Sequence, residues 1–322
     1  MLVIAHRGAS FTAPENTLAA FRAAKKPGID GFETDVQLTR DHKLVIHHNY
    51  TVDARSDGTG RVCDLTLEEL RRLDFGSWKG PAFAGEKIPT LAQCLEAARD
   101  FSMMNLELKA PVDRTVPFVE PVVRAIREAG LTEKVRLSSF DHGLLREAKA
   151  LLPELRVGVL TSRAVTQRNS VQLLARYAPR DKALGALVPG DLRLPREDGE
   201  IRKLLKSPDR EPGEVLLERA KNLAVLYPGA AIGEVMDRLE EQLDLEGYLT
   251  GLDFPADYLH CEYHACLDDP GLAERLARRG IGVTPWTPDD PEDLRRLAAQ
   301  PLDGIITNRP DLLLDILGEG AP

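Results

Sequence analysis

Apolar positions along this chain follow two rhythms that take turns. Short runs rich in Val, Ile, Leu and Phe read as strands over residues 2–5, 29–38, 43–48, 102–108, 135–140, 155–160, 258–264, 281–286 and 304–307. Between them the apolar spacing widens to three and four, which predicts helices over 15–26, 67–73, 91–99, 116–129, 143–152, 271–279, 291–299 and 310–317. Pro14 opens the first of these helices and Pro27-Gly28 stops it. Strand-then-helix alternation builds a parallel sheet, and about eight such strands favour closure into a TIM (β/α)8 barrel. The first strand is not followed by GxGxxG, which speaks against an open dinucleotide-binding sheet.

Two stretches interrupt the alternation. Residues 49–90 are irregular around the turn cluster Ser56-Asp57-Gly58-Thr59-Gly60 and predict a small insertion after the second strand. Residues 161–255 are too long for a bare loop. There Leu216, Ala220, Leu223 and Tyr227, then Ile232, Val235, Met236, Leu239 and Leu243, keep helical spacing. The expectation is a single barrel domain over 1–322 with a helical insertion between strands five and six, suited to packing, to homo-oligomer contacts or to a substrate lid.

Composition narrows the class. A chain with 43% hydrophobic and 29% charged residues can bury a large core. Its net charge of −9 disfavours a general nucleic-acid binder, which needs basic stripes. No apolar run approaches the ~20 residues of a membrane span, and no signal-peptide pattern opens the chain. Four cysteines without a CxxC suit a reducing compartment, so a cytoplasmic location is expected.

Candidate chemistry sits at the ends of the strands, where barrel active sites form. Side chains alternate along a strand, so Glu33 and Asp35 share a face, as do Glu107 and Lys109. Two carboxylates side by side in an apolar strand call for a cation between them. Glu33, Asp35 and Glu107 offer hard oxygen ligands for one divalent cation, Mg²⁺ or Ca²⁺. Arg7 and Lys109 would neutralise phosphate oxygens. His6 and His48, on opposite sides, fit in-line phosphodiester cleavage, one taking a proton and the other giving one. Strand alternation lets only one of His47 and His48 face the mouth; His48 is assigned there and His47 is expected to pack outward. Glu15 reads as a dipole partner in a helix first turn and Trp286 as a substrate contact. The run His260-Cys261-Glu262-Tyr263-His264-Ala265-Cys266 makes a poor zinc cage as a strand, and its Glu262 and His264 are expected to touch substrate.

The segments His6-Arg7-Gly8-Ala9-Ser10, Pro14-Glu15-Asn16-Thr17, Gly31-Phe32-Glu33-Thr34-Asp35-Val36, the His48 segment through Gly58-Thr59-Gly60, Asn105-Leu106-Glu107-Leu108-Lys109, Pro285-Trp286-Thr287 and Asp303-Gly304-Ile305-Ile306-Thr307-Asn308-Arg309-Pro310-Asp311 together resemble the glycerophosphodiester phosphodiesterase family. The resemblance implies metal on Glu33, Asp35 and Glu107, and His6 with His48 as the acid–base pair. It also implies hydrolysis of a glycerophosphodiester to glycerol 3-phosphate and an alcohol, the neighbouring glycerol hydroxyl attacking first to give a cyclic phosphate. Two departures stand out. Asn49 follows the second histidine where the family usually has aspartate, and the 161–255 insertion exceeds the usual connection. These leave two further readings: a lysophospholipase D-like enzyme on the same barrel, or an inactive barrel that binds phosphodiesters.

Overall fold

In a computed structural model of the chain, residues 1–162, 242 and 244–319 are described. The chain divides into two compact units, Met1–Thr161 with Leu252–Pro322, and Ser162–Gly251. The helical spacing expected over 216–243 lies outside the described residues, apart from Gln242.

The first unit holds nine strands among its described residues: β1 (Leu2–His6), β2 (Gly31–Leu38), β3 (Leu44–Ile46), β4 (Met103–Leu108), β5 (Val135–Ser139), β6 (Arg156–Thr161), β7 (Tyr258–Cys261), β8 (Gly282–Val283) and β9 (Gly304–Thr307). Eight of them run parallel in the order β8-β7-β6-β5-β4-β2-β1-β9. The bridge Trp286↔Ile306 and the bond from Asp303 N–H to the Val283 carbonyl (2.9 Å) bring the two ends together. The result is a nearly closed (β/α)8 barrel. Helices α1 (Leu18–Ala24), α2 (Leu67–Arg72), α3 (Leu91–Ala98), α4 (Val119–Glu128) and α5 (His142–Leu151) come first. Then follow α6 (Leu245–Thr250), which belongs to the second unit, and α7 (His264–Asp268), α8 (Leu272–Ala277), α9 (Pro291–Ala298) and α10 (Pro310–Glu319).

Local chemistry explains where these helices start. Thr17 caps α1 by accepting from the Ala20 N–H, Thr90 and Gln93 form a reciprocal capping box on α3, and Asp290 caps α9 ahead of Pro291. On α4, Val119, Val122, Val123 and Ile126 line the buried face, each contributing roughly 1.5–3 kcal/mol of burial.

Three expectations need correction. The first helix starts at Leu18, not at residue 15, because Thr17 takes the cap; Pro14, Glu15 and Asn16 form a turn before it. Strand β3 is antiparallel to β2 (Val36↔Ile46, Leu38↔Leu44) and ends at Ile46, so it is a hairpin partner and not a barrel stave. Strand β7 stops at Cys261, and the chain enters α7 at His264. The small insertion that follows β3 has its own core of Val45, Val52, Val62, Leu70, Phe75 and Ile88.

Inside the barrel, His260 is fully buried and neither ring nitrogen has a hydrogen-bond partner among the described residues. Gly158 makes room for it, since a Cβ there would lie 2.7 Å from His260 Nε2. Burial, followed by the charge of Arg136, pushes the His260 pKa down to about 3. The unfolded chain therefore takes up a proton near the ordinary histidine value while the folded chain refuses it. This destabilising contribution is absent above that value and grows as pH falls towards about 3. Between pH 7 and pH 5, His260→Leu is expected to lose about 2 kcal/mol less stability than the wild type. Urea unfolding at the two pH values measures this; parallel losses in both proteins would refute it.

Candidate active site

The strand register brings the polar residues to one level. His6 pairs with Glu33 across β1 and β2, and Asp35 pairs with Glu107 across β2 and β4. Glu33, Asp35 and Glu107 are all buried, and each offers an oxygen within 4.8 Å of the others. Burial comes first among the causes that push the Glu33 carboxyl well above the usual range, followed by the charges of Asp35 and Glu107. Burial also raises Glu107 against the pull of Lys109. Burial would raise Asp35 too, but the electrostatic pull of His48, Lys109 and Arg7 and a hydrogen bond from Asn16 outweigh it and hold this carboxyl low. Its Oδ1 has no hydrogen-bond donor among the described residues. Three buried carboxylates with a spare oxygen lone pair fit a hard divalent cation, the set of groups the sequence pointed to.

Cations already crowd the rim of this cluster. Lys109 Nζ donates to Glu107 Oε1 (2.9 Å) and stands 3.7 Å from Asp35 Oδ1. Burial opposes its charge, but Glu107 and Asp35 win and raise the ammonium pKa. Arg7 follows β1 in a left-handed turn, φ 55° then 79° at Gly8, where a Cβ would meet Ala20 backbone at 2.7 Å. That turn points the Arg7 N–H at Glu33 Oε2 (3.2 Å) and lays its guanidinium 3.8 Å from Asp35 Oδ2.

Both histidines lie near the cluster. His6 Nδ1 is 2.7 Å from Asn308 Oδ1, and its Nε2 is 3.7 Å from Glu33 Oε2. Burial and then the Arg7 charge push its pKa down to about 4. His48 Nδ1 is 2.8 Å from Asn49 Oδ1, so the amide keeps the hydrogen bond that an aspartate would make. Burial, Arg7 and Lys109 hold His48 well below the ordinary histidine value, while Asp35 pulls it upward. His48 reaches the cluster because the antiparallel return of β3 carries it back to the level of Asp35, whose carbonyl accepts the His47 N–H (3.0 Å). His47 turns away into the insertion core, edge-on to Phe75 at 5.5 Å, with Nε2 3.1 Å from the Thr51 carbonyl.

The remaining candidate contacts follow strands β7 and β8. Trp286 is half-buried, donates Nε1–H to the His260 carbonyl (3.0 Å) and meets Phe140 edge-on at 5.7 Å. Glu262 Oε1 and His264 Nδ1 lie 2.6 Å apart just past β7.

Several supporting groups escaped the sequence reading. Glu15 is no helix-dipole partner: its carboxylate holds Arg7 Nη1 at 2.8 Å and Arg55 Nε at 3.1 Å. Asn16, at φ 58°, donates to Asp35 Oδ2 (2.8 Å) and accepts from Thr34 Oγ1 (2.7 Å). Gln37 Nε2 lies 2.6, 3.2 and 2.8 Å from the carbonyls of His47, His48 and Asn49, clamping the loop that presents His48. The left-handed capacity of asparagine and its place beside Pro14-Glu15 were the signal available for Asn16.

A nearly closed (β/α)8 wall with a buried acidic cluster at its strand ends places this chain among the barrels that carry an enzyme site there. The chain belongs to the Glycerophosphoryl diester phosphodiesterase family, whose sequence model matches residues 6–250 and 246–312. It is 32% identical over 321 residues to a glycerophosphodiester phosphodiesterase of Caldanaerobacter subterraneus subsp. tengcongensis, covering 99% of this chain and 98% of that one. A 104-residue stretch is 50% identical to human glycerophosphodiester phosphodiesterase 1, covering 29% of this chain and 30% of the human one. The fold is shared with an Oleispira antarctica phosphodiesterase solved with the product sn-glycerol-3-phosphate, at a TM-score of 0.63 and 24% identity over 99% of this chain and 97% of that one. No described helix is long and apolar enough to cross a membrane.

Proposed function

We propose that this enzyme hydrolyses glycerophosphodiesters to glycerol 3-phosphate and an alcohol, using His6 and His48 for proton transfer around one divalent cation. The observation that carries this reading is the convergence of Glu33, Asp35 and Glu107 within 4.8 Å, with His6 3.7 Å from Glu33 and His48 next to the bond that ties the His47 N–H to the Asp35 carbonyl. The three carboxylates would hold Mg²⁺ or Ca²⁺, which supplies Lewis-acid polarisation of a phosphoryl oxygen when bound.

This chain's own groups do the rest. Arg7 and Lys109 sit against the carboxylates and extend positive charge towards the phosphate. One imidazole removes the proton of the glycerol 2-hydroxyl as its oxygen bonds to phosphorus. As the phosphorus–oxygen bond to the alcohol breaks, the other imidazole, protonated, gives its proton to the leaving oxygen. Water then opens the cyclic phosphate with the two roles exchanged, returning both histidines to their starting states. Burial favours a neutral imidazole on both sides, which suits the base; a bound phosphodiester anion favours the charged form of the partner facing the leaving oxygen. Trp286 is read as an apolar wall for the bound glycerol. All four cysteines carry free thiols, which supports a reducing, cytoplasmic setting.

The test is a substrate panel of glycerophosphocholine, lysophosphatidylcholine and bis(p-nitrophenyl) phosphate, each with EDTA and with Mg²⁺ or Ca²⁺ restored. Turnover of glycerophosphocholine, lost in EDTA and recovered on adding metal, is the expected result. Preference for lysophosphatidylcholine would move the assignment to a lysophospholipase D-like enzyme. Metal binding with no turnover of any diester would leave a binding barrel.

A further inference from the structure

Behind His6 lies a half-buried relay that the proton-transfer scheme does not use. Asp289, in the segment between β8 and α9, accepts on Oδ1 from Thr307 Oγ1–H (2.9 Å) and from the Asn308 N–H (2.9 Å). Its Oδ2 lies 2.6 Å from Asn308 Nδ2. A carboxylate can only accept, so the amide of Asn308 has to present its nitrogen to Asp289 and its oxygen to the opposite side. That oxygen is 2.7 Å from His6 Nδ1 and also accepts from Ser10 Oγ (2.8 Å). An amide oxygen cannot donate, so the hydrogen in the His6 contact belongs to Nδ1. A neutral imidazole carries one N–H, which leaves the lone pair on Nε2, the nitrogen 3.7 Å from Glu33 Oε2.

We propose that Asp289 is a positioning residue that, through the amide of Asn308, selects the Nδ1–H form of His6 and so aims the basic nitrogen at the substrate. The inference rests on the reading of His6 as a proton-transfer group. The geometry has a directional logic: one charge, 19 residues along the chain from Asn308, decides which way an amide lies, and the amide decides which imidazole nitrogen is free. Asparagine at position 289 would still accept from Thr307 and the Asn308 N–H through its oxygen. Its NH₂, however, would face the Asn308 NH₂ and turn that amide over. The turned amide donates to His6 Nδ1, Ser10 Oγ becomes an acceptor, and the His6 hydrogen moves to Nε2, where it blocks the base.

The experiment compares Asp289→Asn with the double exchange Asp289→Asn plus Asn308→Asp, which restores an acceptor facing His6 and a donor facing it from behind. Each protein is labelled with ¹⁵N-histidine, and His6 is assigned by its loss in His6→Ala. The wild type is expected to show a protonated Nδ1 and a bare Nε2 on His6, and Asp289→Asn the reverse. Turnover number in Asp289→Asn is expected to fall about 100-fold with KM held within about threefold, and the double exchange to recover about tenfold or more. A wild-type His6 protonated on Nε2, a single variant with unchanged tautomer or turnover, or a double exchange worse than the single one would each overturn the proposal. Should Asp289→Asn fail to fold, the wild-type spectrum and the double exchange decide. An active His6→Ala would instead refute the function assigned above, whereas the tautomer is read without substrate and answers separately.

Discussion

Glu33→Gln is expected to lower turnover about a thousandfold while leaving the metal-free protein at least as stable as the wild type, an unusual pairing for a buried charged position. Glu33 is buried beside two further carboxylates, and burial together with Asp35 and Glu107 already drives its carboxyl towards the protonated form. At neutral pH a neutral amide of the same shape relieves that repulsion and can still accept the Arg7 N–H through its oxygen. The loss falls on the cation, which no longer has three anionic donors. Thermal unfolding in EDTA and in Mg²⁺ separates the two effects. Added metal should raise the wild-type melting temperature and barely move that of the variant. A variant that keeps a tenth of wild-type turnover, or that melts well below the wild type in EDTA, would contradict the assignment of Glu33 as a ligand.

His48→Ala should reduce turnover by roughly 10²–10⁴-fold without unfolding the loop, the range that one positioned proton-transfer group supplies. The loop keeps its path because Gln37 grips the carbonyls of His47, His48 and Asn49, none of which depends on the imidazole. The neighbouring residue offers the control. His47 packs on Phe75 and meets the Thr51 carbonyl, so His47→Ala should cost about 1–3 kcal/mol of stability and spare most of the turnover. Denaturant midpoints and turnover measured on both variants decide the matter. If the two histidines behaved alike, the assignment of His48 to the mouth would be wrong.

The carboxylate cluster was legible because strand periodicity is two and barrel chemistry gathers at strand ends. Glu33, Asp35, Glu107 and Lys109 needed only those two rules, and the register Asp35↔Glu107 brings them to one level. His48 was chosen by alternation along a supposed stave, yet β3 runs antiparallel and ends two residues earlier. The hairpin's return, not alternation along a stave, sets where His48 lies. Glu15 and Asn16 were misread because Pro14 was taken as the helix opening, when the hydroxyl of Thr17 holds that place. Glu262 and His264 were placed on one strand face because the period-two pattern runs past the point where the chain bends into α7. Asn308 stood among the family-like segments, but Asp289 lies 19 residues from it and His6 lies 302 away, and no local rule links such distances.

The hairpin has a structural consequence for how this catalyst is put together. His6 grows from the barrel wall, whereas His48 hangs between Val45 and Val52, two members of a satellite core built from residues 45–88. The two histidines thus rest on separate foundations. Loosening the satellite's oily centre would slacken His48 and leave the staves, and His6, undisturbed.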